Sequence, residues 1–139
     1  MVLNKDSLSM FGAQNALNLQ NITGNATTAG IIIDTQGFGS ITFVIKSGDY
    51  TDGTFTPLLE AGDQSNLSDA AAIADTALLP VGTGQEAAAA LSADNSVKKI
   101  GCTSLKRYIR LSIVSSGVST GSRISAVAIL GNPDQAPVA

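Results

Sequence analysis

The chain has 139 residues, the size of one domain, and is 44% hydrophobic but only 14% charged, against about 25% charged in an average protein. That composition excludes a charged disordered tail, a coiled coil with its Glu and Lys flanks and, with one Cys, a disulfide scaffold. A net charge of −3 and the lack of any histidine argue against nucleic acid as a partner and rule out His-based triads and zinc sites.

In chain order, residues 1–14 carry a mild apolar patch around Leu8, Met10 and Phe11 and read as a short first strand or an N-terminal arm. Leu17, Leu19 and Ile22 fall near period two among Asn and Gln, the pattern of a half-buried strand. Residues 25–28 read as a turn. The β-branched triplet Ile31-Ile32-Ile33 favours a strand. Residues 40–46 are a clear strand, with Ile41, Phe43 and Ile45 on one face and Thr42, Val44 and Lys46 on the other. Residues 47–53 form a turn cluster in which Asp52-Gly53 is a hairpin signal. Residues 54–60 would then be the returning strand, with Pro57 marking an edge or a bulge. Residues 62–69 are polar and irregular. The Ala-rich stretch 69–79 reads as a short helix or as an extended segment over the sandwich, and residues 85–91 as one or two helical turns. Residues 97–102, 106–115 and 122–130 read as three strands, the last of them central or covered because both faces are apolar at its end. Gly131-Asn132-Pro133 stops it, leaving a C-terminal tail over 132–139.

Seven or eight short strands with Gly-rich turns predict a single all-β domain over 1–139. The expected architecture is an antiparallel β-sandwich, jelly-roll-like or Ig-like, with at most one or two short helical turns. No apolar run approaches the roughly 18 residues of a membrane span, and the opening residues lack a signal-peptide core, so neither a membrane partner nor a secretory leader is expected. The sequons at Asn21, Asn25 and Asn66 then carry no glycan.

Little in the chain carries chemistry. Cys102, at a strand end with no histidine to activate it, reads as a small buried hydrophobe. Gly37-Phe38-Gly39 and Gly82-Thr83-Gly84 lack the Gly-Lys-Ser/Thr ending of a phosphate loop and read as turns. Two oxygen clusters, Asp49 with Asp52 and Asp63 with Asn66 and Asp69, could hold Ca²⁺; the competing reading is turn formation by side chains that cap local backbone. No cofactor, metal or catalytic residue is assigned, and the chain is not expected to be an enzyme. Lys98, Lys99, Lys106, Arg107 and Arg110 form one basic patch in sequence. It is either a solvated strand face that discourages edge pairing or a contact surface for an acidic protein. A carbohydrate-binding module is disfavoured, since sugar platforms use exposed Trp and Tyr and the chain has no Trp and two Tyr.

Two stretches carry a family resemblance. The first is Tyr50-Thr51-Asp52-Gly53-Thr54-Phe55-Thr56-Pro57-Leu58-Leu59-Glu60, followed by the Asp/Ser-rich loop and residues 74–79. The second runs from Ile100-Gly101 through Lys106-Arg107-Tyr108-Ile109-Arg110-Leu111 and Ser116-Gly117 to Ser125-Ala126-Val127-Ala128-Ile129-Leu130-Gly131-Asn132-Pro133, closing on Ala136-Pro137. Over about residues 29–137 this arrangement resembles small structural proteins of tailed bacteriophages, often encoded near the capsid genes. The resemblance implies a virion component assembled in the host cytoplasm: a capsid decoration (cement) protein or, alternatively, a head–tail connector or tail component. The implied partner is the major capsid protein. A homo-oligomer is expected, with a trimer favoured over a dimer, because cyclic symmetry multiplies identical contacts. The residues expected at capsid or oligomer contacts are Leu8, Met10 and Phe11 of the arm, and Lys98, Lys99 and Arg107 of the basic set.

Overall fold

A computed structural model describes residues 6–80, 84–104 and 106–135 of the chain. It is an all-β sandwich of two antiparallel sheets. The strands are β1 (Gly12–Ile22), β2 (Thr27–Asp34), β3 (Phe38–Tyr50), β4 (Thr54–Gly62), β5 (Ala71–Ala72), β6 (Leu78–Leu79), β7 (Val97–Cys102), β8 (Tyr108–Ser116) and β9 (Ser122–Pro133). One sheet has the order β1-β9-β3-β7-β6 and the other β2-β8-β4-β5. The partners nest: β1 pairs with β9, β2 with β8, β3 with β7 and β4 with β5. Successive nested pairs fall alternately in the two sheets. That wrapping is a jelly roll, with β6 added beyond β7.

Period-two alternation decides which side chains enter the core. Ile41, Phe43 and Ile45 of β3, Ile109, Leu111 and Ile113 of β8, and Ile124, Ala126, Ala128 and Leu130 of β9 are all buried between the sheets. Phe55 joins them, and Tyr50 meets its ring edge-on at 6.5 Å. Among the described residues, regular secondary structure outside the strands is short: 3-10 turns at Leu8–Met10 and Asp75–Ala77, and one helical turn, α1 (Gln85–Ala88).

Several expectations need correcting. Asp52-Gly53 does not turn a hairpin, because β3 and β4 lie in different sheets. Gly53 has φ +97° and carries the chain across the sandwich rather than back along the same sheet. Of the two readings of 69–79 the helix falls and the extended segment stands, as two two-residue strands around a 3-10 turn. Leu19 is not on the buried face of β1. The register shifts between Leu17 and Gln20, and this bulge turns Leu19 outward to 66% exposure. Residues 27 and 28, read as turn, open β2. The 1–14 segment, read as a first strand or an arm, enters the sheet at Gly12, where Gly12, Ala13 and Gln14 pair with Leu130, Ile129 and Ala128. At the other end β9 passes Gly131 and reaches Pro133, opposite Phe38, and Asp134 donates its N–H to Gly37 O. Residues 1–5 of the arm and 136–139 of the tail lie outside the described residues, as does the Gly82-Thr83 turn.

Two glycines are required by close approach. A Cβ on Gly30, at the β2 bulge, would overlap the carbonyl oxygens of Leu111 and Ala16. A Cβ on Gly121 would overlap Ile22 O, and Gly121 also has φ +93°.

Candidate interaction surface

The five cations of the sequence patch do not converge. Three are held in ion pairs at the four-stranded sheet. Arg107 grips Asp34 through Nε and Nη2, both at 2.8 Å, and stacks over the Tyr108 ring at 5.0 Å. The guanidinium holds the Asp34 carboxyl below its ordinary pKa, and the Arg107 pKa rises in return. The Arg107 carbonyl accepts from both Thr35 N and Thr35 Oγ1, so this residue clasps the exit of β2 to the entry of β8. Lys106 pairs with Asp63, which raises the lysine's pKa. Arg110 pairs with Glu60 across β8 and β4, and Ser112 Oγ donates to the same carboxylate.

Lys98 and Lys99 belong to the other sheet. Alternation along β7 sends them to opposite faces. Lys99 lies opposite Val44 on the outer face, while Lys98 lies opposite the buried Ile45 and is itself exposed. Among the described residues, the lysines and arginines outside the three ion pairs are Lys46, Lys98, Lys99 and Arg123. All four sit on β3, β7 and β9 of the five-stranded sheet.

Lys46 and Arg123 were not among the expected contact residues, and neither was the apolar centre beside them. Cross-strand register puts Val44 between Val127 and Lys99, and Thr42 between Ile129 and Gly101, on one solvent-facing surface. Lys46 lies between Ser125 and Val97 in the next row. Val127 is 42% and Val97 58% exposed. Alternation groups Val44 with Lys46 and Val127 with Ile129 in the sequence, but β9 is apolar on both faces near its end, and only the sheet order makes the two pairs neighbours.

In the arm, Leu8 is 76% exposed and Met10 46%, while Phe11 is partly covered. Asp6 accepts from Ser9 N and Oγ beside the 3-10 turn.

The loop carboxylates are turned to local donors. Asp52 accepts the backbone N–H groups of Ser119, Thr120 and Gly121 at 3.0, 3.1 and 2.8 Å, which lowers its pKa. Asp69 accepts from Asp63 N and Gln64 N, and its pKa is lowered for the same reason. Asn66 Oδ1 accepts from Ser68 N. Among the described residues no group of three His, Cys, Asp or Glu side chains is placed to hold a metal ion. Cys102 is buried, and desolvation raises its thiol pKa.

No family model, curated protein or solved structure matches the chain.

Proposed function

We propose that the chain is a non-catalytic structural component of a virus particle, which decorates and stabilises the capsid of a tailed bacteriophage through lattice protein–protein contacts. One observation carries the reading most directly: an open sheet face with Val44, Val127 and Ile129 at its centre, on a chain that is only 14% charged. Interface centres are apolar and depleted in charge because burying an unpaired charge costs more than burying a methyl group. The resemblance of residues 50–60 and 100–133 to phage structural proteins supports the same reading. Jelly rolls also recur in viral capsids, an argument from fold alone. A protein that binds only the assembled shell stabilises it by mass action, and a homo-oligomer, with a trimer favoured, would strengthen this through multivalent contact.

The test is the copy number of the chain in purified particles, by quantitative mass spectrometry against the major capsid protein. A ratio of one or a simple fraction of it is the expected result. A trace ratio would make the chain a neck or tail component instead, and absence would overturn the virion reading.

A further inference from the structure

Building on the virion reading, we propose that the outer face of the five-stranded sheet is the docking surface and that its occupant is an acidic protein surface on the assembled shell. The argument begins with charge segregation. The chain as a whole is acidic, yet this face presents Lys46, Lys99 and Arg123 and, against them, the carboxylate of Asp49. The cations of the four-stranded sheet are matched one to one by Asp34, Glu60 and Asp63. Those of the five-stranded sheet have no salt bridge among the described residues, so they attract an acidic partner from outside the chain.

Shape narrows the partner further. Two shallow hollows of about 360 Å³ each flank the Val44–Val127 pair. One is lined by Thr42, Leu79, Pro80, Lys99 and Gly101. The other is lined by Leu19, Lys46, Asp49, Arg123 and Ser125 among others. Each hollow therefore combines an apolar wall with at least one cation, which suits a short acidic side chain entering beside an apolar contact. Between the hollows the surface is apolar and β-branched. A polyanion such as duplex DNA would leave those methyl groups without a complementary surface and offers no reason for them. An apolar centre edged by charge is the anatomy of a protein interface.

The test uses the full-length chain and purified shells of the encoding phage assembled without it, with binding measured by co-sedimentation over a salt series. Wild type should bind saturably and weaken as salt screens the cations. Lys99→Glu combined with Arg123→Glu should weaken binding about tenfold or more. Val127→Asp, which places a carboxylate at the apolar centre, should do the same. Lys106→Glu changes charge on the opposite sheet and should stay within about twofold of wild type, its exposed ion pair being worth little. Circular dichroism checks that each variant folds, and Lys99→Gln with Arg123→Gln gives a milder second variant with an intermediate loss. If wild type binds shells and the face variants bind equally well, the docking face is wrong while the virion reading stands. If wild type fails to bind shells, both fall. If the face variants change the sedimentation mass of the free protein and leave shell affinity intact, the face joins copies of this chain and the proposal is overturned. Equal affinity for random-sequence duplex DNA would overturn it as well.

Discussion

Asp52 anchors a loop from 67 or more positions away in the chain, holding the N–H groups of residues 119–121 with one carboxylate. Asp52→Ala should lower the melting temperature and speed hydrogen exchange at those amides, while exchange in the β8 core stays protected. The folded-state pKa values of Asp34, Asp52 and Asp69 all lie below the ordinary carboxylate value. A lowered pKa contributes stability that is complete above the unfolded value and is lost as pH falls through the folded one. Stability should thus be level from neutrality to about pH 5 and decline below about pH 4, as denaturant midpoints across pH would show. In the core, Leu111→Ala should cost about 2–5 kcal/mol through lost burial and a cavity, since Leu111 is fully buried. Gly121→Ala should cost about 1–3 kcal/mol or more, from its positive φ and the overlap with Ile22 O.

At the level of elements, β4 shows how an exposed strand edge is closed. Phe55 exchanges both backbone bonds with Leu91, Leu59 O accepts from Ile73, and Leu59 N donates to Glu86 Oε1 at 3.2 Å. Pro57 lies between them, where it has no N–H to leave exposed. The helical turn α1 therefore supplies a side chain in place of a neighbouring strand. Glu86→Ala should cost about 1 kcal/mol in equilibrium unfolding, and Glu86→Gln much less, since an amide oxygen also accepts. The edge at Pro57 was legible in the sequence because proline's missing donor is a local property. β7 was legible to its bounds, and alternation sorted Ile41, Phe43 and Ile45 of β3 onto the one face that is buried. The Asp52-Gly53 hairpin was misread because the same dipeptide serves a turn within a sheet and a crossing between sheets; the choice depends on a loop far along the chain. The Leu19 bulge was also hidden, since a period-two pattern does not mark where register slips.

For the whole molecule, the nested pairing ties the first strands of the sandwich to the last. Calorimetric and spectroscopic unfolding should coincide in one cooperative transition. Deleting residues 1–11 removes Leu8, Met10 and Phe11 but leaves β1 intact, and should move the melting temperature by less than about 4 °C. A loss of shell binding in that variant would assign contacts to the arm. Deleting residues 1–22 strips β1 from β9 and should abolish folding. The candidate surface was only half legible. Alternation put Val44 and Lys46 on one face of β3, but the last strand was apolar on both faces, so nothing local marked Val127 and Ile129 as outward-facing, and β3 and β9 become neighbours through the sheet order alone. Likewise Lys98, Lys99 and Arg107 are close in sequence, yet the connection from β7 to β8 carries them to different sheets. Counting cations along the chain could not reveal which of them acids from other strands would neutralise.

The nesting also sets a timetable for synthesis. β1 leaves the ribosome ahead of the other strands of the sandwich, yet its partner β9 follows all of them: Leu17 meets Ala126, roughly a hundred residues later. Through most of translation the nascent chain holds Leu17, Ile33 and Phe43 with no finished sheet to receive them. The sandwich cannot close until β9 has emerged, and it must then close long loops, which slows folding and leaves apolar strands open to aggregation. Refolding from denaturant should therefore be slow and should lose more chain to aggregate as protein concentration rises, as light scattering would show.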